Sequence, residues 1–220
     1  MTSSFYGEPE GLRWLEDDLR ALGLSPVRYE YGDRDAVEVA VHSEGFAALL
    51  RGLGMPEGRK TGRVHVPGLV RRGPDRVALE FLSGLFGADG WISARENRVE
   101  VGIAQASPWG ESSEFLEGVS SLLKRTTGVY ARVLEAGSYE TSVDGRRSVF
   151  GLGFRGEHVE RFLTRVPFEY SVRKRELGLW AGAYLRYRAR GGKDAFERFV
   201  EERCLPGGLV LDRVVDVERR

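Results

Sequence analysis

The chain has 220 residues, 41% of them hydrophobic, 30% charged and 10% aromatic, which excludes a largely disordered polypeptide and suffices for a buried core. No run of about 18 apolar residues occurs, which excludes a membrane-spanning helix, and Met1 to Glu10 lacks the basic-then-apolar order of a secretory signal. The single cysteine, Cys204, excludes an internal disulfide, and the scattered His42, His65 and His158 offer no metal-binding spacing, so a reducing, cytoplasmic compartment is the expectation.

Basic and acidic side chains balance at 33 each, but not evenly along the chain. Residues 1–55 carry five basic and ten acidic groups, whereas residues 56–220 carry 28 and 23, which leaves room for a local basic surface in the later part. Twenty-nine of the basic residues are arginine, so the four lysines, Lys60, Lys124, Lys174 and Lys193, stand out.

In chain order, Leu12, Leu15, Leu19 and Leu22 recur at helical spacing and predict a helix over Glu8–Leu22, stopped by Gly23. Val27–Tyr31 and Ala36–Val41 alternate apolar and polar residues and read as a hairpin. Ser43 caps a helix running through Leu53, and Met55–Gly62 reads as a loop. A helix starting after Gly73-Pro74-Asp75 reaches Asp89 and stops at Gly90. Trp91–Arg95 and Arg98–Gln105 form a second hairpin, and Ser112 or Ser113 opens a helix to Arg125. Val129–Glu135 with Arg147–Phe154 forms a third hairpin, followed by helices over Glu157–Arg165, Ser171–Arg188 and Asp194–Arg203 and a tail strand over Leu209–Val217. Strands come in adjacent antiparallel pairs and the unit ββα recurs three times, so the class is α+β with an internal pseudo-repeat. The expected division is 1–73, 74–170 and 171–220.

The richest segment is Phe81-Leu82-Ser83-Gly84-Leu85-Phe86-Gly87-Ala88-Asp89-Gly90. Ser83 with Gly87, and Gly84 with Ala88, stand four residues apart on shared helix faces, where small side chains let another helix approach backbone to backbone. Two glycines inside a helix cost about 1 kcal/mol each, and a carboxylate at the C-terminal end opposes the helix dipole by about 0.3–1 kcal/mol. Asp89 therefore suggests a cation partner, and a hard divalent metal suits an oxygen donor.

This segment, with the preceding Leu50-Arg51-Gly52-Leu53-Gly54, Gly58-Arg59-Lys60 and Val66-Pro67, resembles the LAGLIDADG homing endonucleases, most closely the second signature helix of the kind carried inside inteins. The tail Asp212-Arg213-Val214-Val215-Asp216-Val217 resembles the stretch leading from such a domain back into an intein's splicing half. The resemblance implies αββαββα halves whose sheets form a saddle over double-stranded DNA, with phosphodiester hydrolysis supported by Mg²⁺. It implies that Asp89 is the catalytic acid and metal ligand, that Lys60 and Lys174 are the lysines of the two halves, and that Ser83, Gly84, Gly87 and Ala88 pack against a second helix. Position 1 is not a cysteine or serine and no terminal His-Asn pair is present, so splicing parts are not expected within these residues. No signature helix stands upstream of Phe81, and Arg13 and Trp14 are too bulky for one, so the first signature helix and its hairpin are expected to be missing.

If Val99, Val101 and Ile103 face the core, then Arg98 and Glu100 face outward beside Arg95, with Arg132 and Arg147 as outward candidates on the next hairpin, and these four arginines are the expected DNA contacts. Glu30, Asp33, Asp35 and Glu38 crowd the first hairpin and oppose phosphate binding there. Trp109 and Tyr139 could insert or pack. The small helix face needs a cover, either a second copy or an N-terminal segment, and a monomer is favoured over a homodimer. The alternative function is a catalytically degenerate remnant acting as a DNA-binding or structural domain.

Overall fold

The computed structural model describes residues 1–32, 36–58, 62–109, 111, 113–142 and 145–211. The chain opens with strand β1 (Thr2–Gly7), helix α1 (Pro9–Ala21), strands β2 (Pro26–Glu30) and β3 (Val37–His42), and helix α2 (Glu44–Gly52). Ser43 caps α2 by accepting the Phe46 amide, and β2 and β3 match the expected hairpin. β1 was not expected from the sequence, because Thr2-Ser3-Ser4-Phe5-Tyr6 carries no hydrophobic alternation. It forms through long-range pairing with β3, Phe5 opposite Val39, and completes a sheet of order β1-β3-β2.

A short helix α3 (Gly68–Arg72) leads into α4 (Asp75–Ala88), strands β4 (Gly90–Arg95) and β5 (Arg98–Pro108), α5 (Glu114–Thr127), β6 (Val133–Thr141), β7 (Gly145–Arg155) and α6 (Glu157–Leu163). All pairs in the sheet β4-β5-β7-β6 are antiparallel. β6 lies later than the expected Val129–Glu135. It continues through Gly137 across a bulge because its ladder to β7, not an apolar stripe, holds it. Helices α7 (Val172–Ala189) and α8 (Phe196–Arg203) follow, then the short strands β8 (Cys204–Leu205) and β9 (Leu209–Val210). Of the expected tail strand, residues 212–217 lie outside the described residues.

Two facts about this arrangement position the site. First, the order β1-α1-β2-β3-α2 and its sheet order repeat β5-α5-β6-β7-α6, so the first unit matches the last five of seven elements of the second. The expectation of a wholly missing hairpin is thereby corrected: β1 stands where its second strand belongs. Second, one large core joins α4 through α8, from Phe86, Phe154 and Phe162 to Tyr184 and Phe199, while Leu12, Leu19, Val37, Val39 and Val41 form a separate small core under the first sheet. α8 clamps the β4–β5 turn, where the Glu197 carboxylate accepts the Glu96 amide at 3.0 Å and the Phe196 amide donates to the Glu96 carbonyl at 2.6 Å.

The first unit is tied internally by a buried Glu16, which accepts Arg28 Nη1 at 2.7 Å and Arg20 Nη2 at 2.8 Å. Burial pushes its carboxyl up, but the hydrogen bonds from Arg28 and Arg20 outweigh this and hold it below its ordinary value of 4.5. Replacing Glu16 with alanine should cost about 2 kcal/mol, because the poorly exposed Arg28 guanidinium loses its shortest ion pair and keeps the Pro9 carbonyl and Glu30 as acceptors. Because the folded carboxyl titrates lower than the unfolded one, the contribution is full above about 4.5 and lost as pH falls through the folded value. Urea midpoints for both proteins on either side of that pH should therefore converge in acid.

Candidate functional site

Helix α4 carries Asp89 as its C-terminal cap, exposed to solvent, while Leu82 and Phe86 anchor the helix in the core. Lys174 arrives from the first turn of α7. Its ammonium donates to the Gly87 carbonyl at 2.7 Å and the Ala88 carbonyl at 3.0 Å, covering the negative end of the helix immediately before Asp89. Burial pulls the Lys174 pKa down from its ordinary 10.5, and the carboxylates of Glu8 and Asp89 pull it back up. The structure thus gathers Asp89, Lys174 and Glu8. Glu8 was not singled out in the sequence, where an acid just before a helix is commonplace; it reaches the site because Ser171, at the start of α7, donates to it at 3.4 Å. Lys60 lies outside the described residues.

The small face of α4 is covered, though not by the expected occupant. The Glu169 amide donates to the Ser83 carbonyl at 3.2 Å, and a Cβ built on Gly87 would stand 1.7 Å from the Glu169 carbonyl oxygen. On the far side of this segment, a Cβ on Gly11 of α1 would stand 2.0 Å from the Tyr170 carbonyl oxygen. Residues 169–171 are therefore pressed between α1 and α4, with Tyr170 at φ 60° and its hydroxyl donating to Asp18 at 2.7 Å. The cover comes from the run into α7 and not from the N-terminal end. Ser83 and Gly87 are buried under it, Gly84 is half-buried with the Tyr170 ring nearby, and Ala88 stays exposed.

The four-stranded sheet has one face on the core, where Val99, Val101 and Ile103 point as expected. Its open face follows from the cross-strand register. Arg95 and Arg98 stand opposite each other at the hairpin tip, and Arg155 pairs with Glu100 at 2.6 Å. Gly102, Ala104, Ala106, Gly151 and Gly153 form a smooth floor, with the 40%-exposed Trp91 lying against Gly102 and Gly153. Arg147 sits opposite Tyr139 at the far end. Arg132 is exposed but precedes β6, so its placement on a strand is corrected. Trp109 packs under the Arg146 guanidinium, 3.7 Å from its ring centre.

On the first sheet, the acidic crowding is milder than the sequence suggests. Glu30 pairs with Arg28, and Glu38 accepts the Tyr31 hydroxyl, which draws its carboxyl down. Asp33 and Asp35 lie outside the described residues. What that face presents is a row of exposed tyrosines, with Tyr6 and Tyr29 flanking Glu38 across the register and Tyr31 beside them. Among the described residues no helix is long and apolar enough to cross a membrane.

Compared with known proteins, the chain is 34% identical over 246 residues to the tRNA-splicing ligase RtcB of Pyrococcus abyssi, which covers 100% of this chain and 26% of that one. It is 23% identical over 251 residues to the DNA-directed RNA polymerase subunit Rpo1N of Methanocaldococcus jannaschii, covering 97% of this chain and 18% of that subunit. The chain thus spans about a quarter or less of the length of these relatives. Among solved structures, the homing endonuclease I-DmoI in complex with its target DNA is similar with a TM-score of 0.45 at 16% identity, over 75% of this chain and 79% of that one. The LAGLIDADG-like domain family matches residues 76–203, from the first turn of the signature helix to the end of α8, and the chain belongs to that family.

Proposed function

We propose that this chain is the DNA-binding, endonuclease-type part of an intein-borne homing endonuclease, which acts on duplex DNA at Asp89. The observation that carries the reading is the meeting of Asp89 and Lys174 at the end of α4, beside a sheet whose open face carries Arg95, Arg98, Arg147 and Trp91. The relatives support the intein-borne part. One and the same chain length aligns inside a ligase and inside a polymerase subunit, as a passenger carried by unrelated hosts would. Neither host's activity is proposed for this chain.

The donors fit magnesium of the kind bound through one or two carboxylates, water and substrate phosphate, with Asp89 as the protein's ligand. Among the described residues no group of three His, Cys, Asp or Glu could cage a metal without such help. When bound, magnesium would supply an activated water and charge stabilisation at the leaving phosphate oxygen. Lys174 holds the carbonyl end of α4 in place and sets a positive charge where the transition state gains negative charge. The small-residue floor lets a duplex approach the sheet, and the arginines at its two ends supply phosphate contacts.

Residues 1–220 hold one carboxylate in signature context, so supercoiled plasmid with Mg²⁺ should yield nicked circles with little linear product. Asp89→Ala should abolish nicking and leave duplex affinity, read by fluorescence anisotropy, within about threefold. The second reading, a binding domain without catalysis, is favoured by the segment 169–171 filling part of the helix face, and it predicts the same affinity with no nicking in either protein. Absence of any salt-dependent duplex binding would overturn both.

A further inference from the structure

The two units have separate apolar cores, and the run that leads into α7 lies between α1 of the first and α4 of the second. Phe168 is buried in the large core with its ring 5.8 Å from that of Phe162, so the chain is fixed just before the run. Helix α7 begins at Val172, and the Ser171 carbonyl accepts the Arg175 amide at 3.0 Å, so Lys174 sits in the first turn. Tyr170 is where the chain turns from the one to the other. Its φ of 60° is a left-handed backbone that tyrosine adopts at a cost and keeps only where its surroundings hold it. The side chain is held from both flanking helices. A Cβ on Gly84 of α4 would stand 3.8 Å from the Tyr170 ring, and the hydroxyl donates to Asp18 of α1 at 2.7 Å.

The same helix α1 grips the run at three further points. Gly11, Trp14 and Asp18 recur at three- and four-residue spacing on one helix face. Gly11 leaves room for the Tyr170 carbonyl, the Arg175 guanidinium stands 5.2 Å over the Trp14 ring, and Ser171 donates to Glu8 just ahead of the helix. Leu12 and Leu19 of α1 are buried in the small core, so the helix that holds the start of α7 is itself fixed by the first sheet. Within one helical turn the backbone is rigid, so the place Tyr170 gives to Ser171 decides where the Lys174 ammonium goes, and here it reaches the Gly87 and Ala88 carbonyls. We infer that Tyr170, braced by Asp18, is the positioning residue for Lys174. For its effect on the reaction the inference rests on the proposed action at Asp89; for its effect on Lys174 it rests on packing alone. It makes the first unit part of the site, because one hydroxyl–carboxylate bond between the units keeps the ammonium over the end of α4.

The test uses the full chain and its Tyr170→Phe, Asp18→Ala and Asp18→Asn variants. Each is acetylated briefly with a water-soluble succinimidyl ester, and mass spectrometry reads Lys174 against the exposed Lys124 and Lys193 as internal standards. Lys174 should react at least about fivefold faster in Tyr170→Phe and in Asp18→Ala than in the parent, because both lose the charge-assisted hydrogen bond. Asp18→Asn keeps an oxygen that accepts the hydroxyl and should stay within about twofold of the parent. The double variant Tyr170→Phe/Asp18→Ala should be no worse than either single change, since all three lose the same bond. Asp18 is exposed, so Asp18→Ala keeps the inference testable if Tyr170→Phe folds poorly. In plasmid nicking, Tyr170→Phe should lower kcat at least about tenfold and leave KM for duplex within about threefold, as expected for a misplaced transition-state charge. Unchanged acetylation of Lys174 overturns the inference, as does a freed Lys174 in a protein that nicks at the parent's kcat. Should the parent nick nothing, the proposed function falls, and the acetylation of Lys174 alone decides the inference.

Discussion

Gly87→Ala should destabilise the chain by about 3 kcal/mol, while Gly84→Ala, three residues earlier on the same helix, should be neutral or stabilising by up to about 1 kcal/mol. The difference is steric. A methyl group at Gly87 would stand 1.7 Å from the Glu169 carbonyl oxygen, and the neighbour is backbone that cannot rotate away. To make room, residues 169–171 must leave α4, which breaks the Glu169 amide bond to Ser83 and pushes the segment into Gly11 of α1. At Gly84 the added methyl meets the Tyr170 ring at 3.8 Å, an ordinary contact, and the helix gains from losing a glycine. For a chain of 220 residues the Gly87 variant should melt about 6–12 °C lower. Gly11→Ala should also destabilise, and the double variant should cost more than the two single changes added, because each methyl group pushes the segment toward the other. Equal melting temperatures for the Gly84 and Gly87 variants would show that the segment does not lie on α4.

That contrast also marks how far the sequence could be read. The i, i+4 small residues point to a second helix at α4, because glycine inside a helix needs a reason, and the structure puts the non-helical run 169–171 there instead, in close contact at Gly87. They carried no information on which backbone approaches, since Phe168-Glu169-Tyr170-Ser171 has no pattern of its own and is placed by the packing of α1 and α7. Helices with a cap and an apolar stripe, such as the one opened by Ser113, were legible to within a residue or two. β1 and the outer part of β6 were not. Both are edge strands that bury little and owe their conformation to the ladder with a single neighbouring strand, Phe5 opposite Val39 and Tyr139 opposite Arg147. Within the site, Asp89 stood out as a carboxylate at the wrong end of a helix. Lys174 was recognisable only through the resemblance, and Glu8 through neither, since its place depends on a contact with Ser171 across 163 positions.

Lys174→Met should lower nicking at least a hundredfold while costing only about 1 kcal/mol of stability. The stability loss is small because two terms oppose. The ammonium satisfies the Gly87 and Ala88 carbonyls, but holding it half-buried is itself unfavourable, as its depressed pKa records. Methionine keeps the volume and removes both. The activity loss is large because no other ammonium or guanidinium among the described residues hydrogen-bonds to that end of α4. Lysine to arginine should not rescue it, since a planar fork cannot reproduce one nitrogen bridging two successive carbonyls. The pH dependence separates a reacting charge from a structural one. Burial lowers the folded pKa below the ordinary 10.5, so the unfolded chain holds a proton that the folded chain gives up, and stability rises with pH from the folded value to about 10.5. Lys174→Met should lose that alkaline rise. Nicking by the parent should fall over the same window, and Glu8→Gln, which removes one of the two carboxylates supporting the charge, should move the fall to lower pH. A Lys174→Met protein that loses the alkaline rise yet nicks at the parent's rate would leave Lys174 as a structural cap of α4 and nothing more.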